Sequence, residues 1–208
     1  MTGPTTVLLA SRNAKKLVEL RRILAATPAG ERVTLIGLDD APAYEEVPES
    51  GLTFAENALI KAREGALRTG LPTVADDSGL AVDALNGMPG VFSARWCGRH
   101  GDDEANLQLL LGQIGDVPDQ YRAGAFVCAA AMVWPDGREQ VVEGRMAGRV
   151  IREKRGTNGF GYDPIFVPDG YELTSAELSA EEKDAISHRG KAFRGLADLI
   201  AAELVEQP

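Results

Sequence analysis

The longest mostly apolar run in this chain, Ala123 to Trp134, sets the first constraint on its fold. It is too short to cross a bilayer, which takes about 20 apolar residues as a helix. We read it as a buried strand. Pro135-Asp136-Gly137 supplies a turn, so Phe126 to Trp134 and Gln140 to Met146 read as a hairpin. Elsewhere strand and helix patterns interleave. Thr6 to Ala10 is a buried strand pattern. Lys15 to Ala26 sets Leu17, Leu20, Ile23 and Leu24 on one helical face, and Val33 to Ile36 is a short strand. Interleaving with one hairpin predicts an α/β fold on a mixed sheet.

Local punctuation sharpens the boundaries. Thr53-Phe54-Ala55-Glu56 has the spacing of a capping box, which satisfies two orphan N–H groups at a helix start. That helix should end near Thr69, where Gly70 and then Pro72 follow. Asp39 to Ser50 is acidic and proline-containing, hence a loop. Gly87-Met88-Pro89-Gly90 is a turn, and Asp103 to Ile114 a helix. Ser179-Ala180-Glu181-Glu182 repeats the capping-box spacing, and a last helix covers Gly190 to Val205.

Composition narrows the function classes. At 208 residues, 44% hydrophobic and 25% charged, the chain reads as ordinary soluble globular protein, one sizeable domain or a bilobed one. A net charge of −9 argues against non-specific nucleic-acid binding and against an anionic membrane surface. Cys97 and Cys128 are too few for a disulfide scaffold and lack zinc spacing; reduced cytoplasmic thiols are the simplest reading. No secretory signal is expected, because a basic start followed by a long apolar core is missing.

Within this frame, Ala75-Asp76-Asp77-Ser78-Gly79-Leu80 carries the strongest chemical signal. At a strand end the two carboxylates point to opposite sides, so one can reach a ligand while the other braces the loop. Carboxylate oxygens suit Mg²⁺, which binds through one or two carboxylates and substrate phosphates. Four polar segments accompany the pair. Ser11-Arg12-Asn13-Ala14-Lys15-Lys16 joins a strand to a helix N-terminus, where N–H groups and a lysine suit phosphate. Glu45 to Gly51 precedes the capped helix, on which Asn57 and Lys61 share a face; they look either to phosphates or to solvent. In Gly159-Phe160-Gly161-Tyr162-Asp163-Pro164 the glycines let backbone approach a flat ligand, and Phe160 or Tyr162 can stack on a base. Finally, Lys183, His188 and Arg189 form a donor cluster suited to base carbonyl oxygens, or else a helix-start surface.

In this order the segments resemble the inosine triphosphate pyrophosphatase family, the non-canonical purine NTP (dITP/XTP) pyrophosphatases. The resemblance rests on Ser11 to Lys16, Gly51 to Ala58 with Lys61-Ala62, and Ala75 to Leu80. It continues in Gly87 to Val91 with Ser93-Ala94-Arg95, Phe160 to Pro164, and Ser187 to Gly190. It is to the bacterial branch, with its Asp-Asp-Ser-Gly form. Ser11-Arg12-Asn13 departs from the family's frequent Thr-Gly-Asn or Thr-His-Asn.

The resemblance implies a single domain over 1–208, bilobed, with a long mixed central sheet flanked by helices and an active-site cleft between the lobes. It implies a cytoplasmic homodimer requiring Mg²⁺, acting on ITP, dITP and XTP, with neither nucleic acid nor membrane as partner. Carried across, Ser11, Arg12, Asn13, Ala14, Lys15 and Lys16 form the triphosphate loop. Asp77 is catalytic carboxylate and metal ligand, with Glu49, or alternatively Glu46, as the second acidic ligand. Lys16 and Lys61 stabilise charge. Ser78, Phe160, Gly161, Tyr162, Asp163, Lys183, His188 and Arg189 contact the nucleotide. The expected reaction is attack of water on the α-phosphorus with pyrophosphate leaving. The competing expectations are a Maf-type pyrophosphatase acting on other modified nucleotides and a non-catalytic purine nucleotide sensor.

Overall fold

A computed structural model describes residues 4–27, 30–45 and 47–206, apart from the side chains of Lys15 and of residues 202–206. Glu46 lies outside the described residues, as does the Lys15 side chain. Strands β1 (Thr5–Leu9), β2 (Val33–Ile36), β3 (Thr73–Val82), β4 (Ala123–Val133), β5 (Glu139–Val150) and β6 (Phe166–Pro168) form one six-stranded sheet. Their order is β2-β1-β3-β4-β5-β6. β1 is parallel to β2, with Thr5 opposite Val33, and parallel to β3, with Leu9 opposite Val74. β5 is antiparallel to β6, so the sheet is mixed. The helices are α1 (Ala14–Ala25), α2 (Phe54–Thr69), α3 (Asp103–Gln113), α4 (Ala180–Ile186) and α5 (His188–Glu206).

The chain divides into two compact units, one of residues 1–77, 128–144 and 189–208, the other of 78–127 and 145–188. In the first unit the apolar run of β4 is buried on both faces. Cys128, Ala130 and Met132 join Leu20, Ile23 and Leu24 of α1 and Phe193, Leu196 and Ile200 of α5 in one core cluster. Ala129, Ala131 and Val133, the alternate positions, join Ala58, Ala62 and Ala66 of α2 in another. Fully burying each Leu or Ile stabilises by about 1.5–3 kcal/mol.

The face of α2 has small residues for a reason. Gly65 lies so close to β3 that a Cβ there would come within 2.6 Å of the Thr73 methyl. The helix starts where its capping box predicts. Thr53 Oγ1 accepts the Glu56 N–H at 3.1 Å, and Glu56 Oε2 accepts the Thr53 N–H at 3.1 Å. It stops at Gly70, whose φ of 70° is left-handed.

In the second unit, Leu107 and Leu110 of α3, with Ile114 just past its end, pack with Leu80, Val82, Phe126, Met146, Val150, Tyr162 and Phe166. Arg122 is buried beneath them and donates to the carbonyls of Ile114, Val150 and Ile151. The Ile114 carbonyl, just past the end of α3, thus accepts from Arg122 as well as from the Val117 N–H. Boundaries differ from expectation at several points. β4 begins at Ala123, where the apolar run begins, but β5 runs past the expected Met146 to Val150, because Val150 joins the second core. The last helix begins at His188, not Gly190. The short strand β6 and a 3-10 turn at Leu38–Asp40 were not anticipated.

Candidate active site

β3 carries Asp76 and Asp77 in mid-strand. The expected strand end is corrected: Leu80 and Val82, both fully buried in the second core, draw the strand onward past the carboxylates. Alternation still sends the two side chains to opposite faces, and their surroundings differ accordingly.

Asp76 is 1% exposed and serves as a brace. Lys16, on the first turn of α1, donates to its two oxygens at 3.0 and 2.9 Å. Arg189 Nε lies 3.4 Å from Asp76 Oδ2, while Arg189 Nη1 donates to Glu19 Oε2 at 2.8 Å. Burial opposes charge on Asp76, but Lys16, Arg189 and Lys61 overcome it and hold the carboxyl far below the usual carboxylate range. Burial likewise opposes the Arg189 charge, and Asp76 and Glu19 outweigh it.

Asp77 is 8% exposed and its pKa moves the other way. Burial raises it, Lys61 pulls it down, and the nearby charge of Glu49 raises it again, so it lies above the ordinary carboxylate value. Asn57 Nδ2 donates to Asp77 Oδ2 at 3.1 Å, and Asn57 Oδ1 accepts the Gly51 N–H at 2.8 Å. The Gly51 donor fixes which end of the amide faces Asp77. A Cβ at position 51 would come within 2.7 Å of that Asn57 oxygen.

Lys61 ties these pieces together. Its Nζ donates to Glu49 Oε1 at 2.6 Å and to the Asp76 carbonyl at 2.8 Å, and lies 4.0 Å from Asp77 Oδ1. Burial pulls its pKa down, but Asp76, Asp77 and Glu49 prevail and raise it, so the ammonium keeps its charge. Glu49 and Asp77 thus flank one ammonium and repel each other. A pair of carboxylates in that relation fits Mg²⁺, whose remaining positions go to water and phosphate oxygen. Among the described residues no set of three or more His, Cys, Asp or Glu side chains is gathered as a fuller metal cage.

The remaining first-unit residues form the β1–α1 connection. Ser11 Oγ accepts the Asn13 N–H at 3.3 Å, and the Asn13 carbonyl accepts the Lys16 N–H at 3.0 Å. Arg12, Asn13 and Ala14 are exposed at the start of α1.

The second unit holds the other expected ligands. Ser78 is half-buried on β3. Phe160 is 37% exposed between Gly159 (φ 75°) and Gly161 (φ 61°). Tyr162, by contrast, is 4% exposed and belongs to the core, with its hydroxyl donating to the Ser93 carbonyl at 2.9 Å. Burial and the Asp103 charge raise its pKa. Phe160 is therefore the more exposed of the two rings. Asp163 Oδ2 accepts from the Phe160 N–H at 2.9 Å and from Lys183 Nζ at 2.6 Å. Lys183 Nζ lies 5.6 Å from the Phe160 ring centroid. The His188 ring stacks on Phe126 at 5.0 Å between centroids.

Several placements depart from the sequence reading. Arg189 was grouped with Lys183 and His188, yet its guanidinium sits among first-unit carboxylates. Glu19 was not singled out at all. The signal for it was present, since Glu19 follows Lys16 by three residues on a helix and so shares its face. Cys128 Sγ, 4.0 Å from Asp76 Oδ2, was also unforeseen.

Known proteins carry the same frame. The Ham1 family model matches residues 7–199. A dITP/XTP pyrophosphatase of Nocardia farcinica is 62% identical over 197 residues, covering 94% of this chain and 95% of that protein. One from Streptomyces coelicolor is 59% identical over 196 residues, covering 94% and 97%. Among solved structures, a nucleoside-triphosphatase / dITP/XTP pyrophosphatase from Mycobacterium abscessus is 62% identical with a TM-score of 0.77, covering 94% of this chain and 98% of its own. A HAM1 protein from Coxiella burnetii is 39% identical with a TM-score of 0.85, covering 95% and 99%.

Proposed function

The chain belongs to the Ham1 family, and from that premise we propose that it hydrolyses dITP, ITP and XTP to the monophosphate and pyrophosphate. The observation that carries the chemistry is Asp77: a buried carboxylate with a raised pKa, oriented by Asn57 and 4.0 Å from the Lys61 ammonium. A base works best when its pKa is drawn toward the operating pH, and cations beside it suit a polyphosphate.

Each residue has a derived part. Asp77 takes the proton from the water that attacks the α-phosphorus. Lys61, held charged by three carboxylates, stabilises charge building on the pyrophosphate that leaves. The Ser11 to Lys16 segment receives the triphosphate at the start of α1. Lys16 moves between its Asp76 ion pair and a phosphate oxygen. Glu49 and Asp77 would hold Mg²⁺, which when bound neutralises phosphate charge and acidifies water.

In the second unit, Phe160 offers a face for the purine, and Ser78, Gly161, Asp163, Lys183 and His188 complete the nucleotide set. Inosine and xanthine carry a 6-oxo acceptor where adenine has a 6-amino donor. Donors facing that position favour the oxo purines, and a donor-to-donor mismatch can reject a competitor by about 10⁴-fold. Tyr162 acts from below by anchoring the loop. Arg189, engaged with Asp76 and Glu19, is assigned to keeping Asp76 ionised rather than to reading the base.

Cleansing of a nucleotide pool takes place where nucleic acid is made, so we assign the protein to the cytoplasm. No described helix is long and apolar enough to cross a membrane. We assign it the homodimeric state that the family resemblance implies, which sedimentation of the intact protein measures.

The test of function is a panel of ITP, dITP, XTP, ATP, GTP and modified pyrimidine triphosphates with and without Mg²⁺, scoring pyrophosphate against orthophosphate. Pyrophosphate from ITP, dITP and XTP, lost on chelation, is the expected result. Orthophosphate as direct product would move the attack to the terminal phosphorus and overturn this mechanism.

A further inference from the structure

The loop bearing Phe160 has little order of its own. Gly156, Gly159 and Gly161 have φ values of 82°, 75° and 61°, a region that glycine enters freely. Its order comes from three directions. Within the loop, Asp163 accepts the Phe160 N–H. From residues 176–178, the Ala176 and Leu178 carbonyls accept from the Asn158 backbone and side chain at 3.0 and 3.1 Å. From α3, Asp103 Oδ2 accepts the Gly161 N–H at 3.0 Å, across 58 residues of sequence. One position along, Glu104 accepts from Lys154 Nζ with both oxygens at 2.8 Å.

Helix α3 has no part in the reaction described above, yet its first turn reaches this loop twice. The two contacts are not equal. Glu104 and Lys154 are both well exposed, and such ion pairs are worth little. Asp103 instead holds a main-chain amide directly beside the aromatic residue. Tyr162 and Asp163 are anchored on the far side of that amide, by Ser93 and by Lys183. Asn158 is anchored on the near side. The Gly161 amide lies between them, in the same peptide group as the Phe160 carbonyl, which accepts the Asp163 N–H at 3.3 Å.

The geometry points to Asp103 as a positioning residue for purine binding: its carboxylate fixes the Gly161 amide and thereby the pose of the Phe160 ring. This rests on the reading of Phe160 as the purine platform. Without that acceptor the amide turns to water, and the nucleotide must order the loop as it binds, which costs affinity. The water attack itself is handled by first-unit residues, so turnover at saturation is spared.

The test compares wild type, Asp103→Ala, Asp103→Asn and Phe160→Ala by steady-state pyrophosphate release from ITP, alone and in combination. Asp103→Ala is expected to raise KM about five- to tenfold with kcat within about twofold. Asp103→Asn keeps an acceptor oxygen and restores most of the loss. In the Phe160→Ala background, Asp103→Ala adds nothing, because the group it positions is gone. Asp102 caps α3 through the Ala105 N–H, so the helix start survives the change. Should alanine prove unstable, Asp103→Ser, too short to reach Gly161, reads the same effect. A KM within about twofold of wild type for both, or fully additive losses with Phe160→Ala, overturns the proposal. If wild type releases no pyrophosphate from any oxo purine, the functional reading fails instead. Titration calorimetry with ITP then makes the same comparison of variants on binding alone.

Discussion

Asp76 and Asp163 are both nearly inaccessible carboxylates, 1% and 3% exposed, and each is paired with a lysine. They do different work. Asp76 stands on a regular strand and gathers side chains: Lys16 from one helix and Arg189 from another, with Lys61 donating to its carbonyl. Asp163 stands in a 3-10 turn and gathers a loop, taking the Phe160 N–H beside Lys183. The first arrangement stores charge in a buried place, so its failures are abrupt and depend on pH. The second sets the pose of an exposed ring, so its failures are graded and fall on binding. On the proposed function, charge chemistry stands on rigid elements and recognition on a tethered loop.

That contrast can be broken most sharply at Asp77. Asp77→Asn is expected to lower kcat by about 10²–10⁴, as loss of a positioned base does, with the melting temperature kept. Pyrophosphate release near the wild-type rate would remove the base from the first unit. Next comes Asp76→Asn, which leaves Lys16 and Arg189 facing a neutral partner. Breaking a buried pair costs about 3–5 kcal/mol, measured by urea unfolding. Its pH signature has a definite sign. The folded pKa lies far below the reference value of 3.8, so the stabilisation is complete above that value and is lost as pH falls beneath it. Wild-type stability should therefore decline below about pH 4, and Asp76→Asn should flatten part of that decline.

Smaller effects belong to the second unit. Asp163→Ala removes the acceptor of the Phe160 amide and the partner of Lys183, and is expected to raise the KM for ITP about tenfold with kcat little changed. A loss carried mainly in kcat would erase the distinction between the two carboxylates. Smallest of all, Glu104→Gln loses an exposed pair and should shift KM by less than about twofold. A larger shift would mean that surface charge, not main-chain anchoring, holds the loop.

Much of the first unit was legible because its signals are local. The capping box at Thr53 and Glu56, the glycine at position 70 and the alternation of β4 each act within a few residues. The alternation rule also foretold that Asp76 and Asp77 diverge, though not which one would be buried by a helix. What stayed hidden depends on distant partners. Arg189 meets Glu19 across 170 residues of sequence. His188 beside it lies in the other unit, stacked on Phe126, because neighbouring side chains on a helix start point in different directions. The choice between Phe160 and Tyr162 was likewise undecidable from pattern, since a glycine-flanked aromatic reads alike whether its ring lines a core or a surface.

The closeness of α2 to β3 at Gly65 has a consequence beyond packing. Lys61 lies one turn earlier on that helix, and its Nζ reaches the Asp76 carbonyl at 2.8 Å. The height of the helix above the strand is metered by a missing methyl group. A side chain at that spot would meet the Thr73 methyl and the Tyr44 hydroxyl, and where the helix gives way the ammonium that we propose steadies the leaving anhydride moves with it.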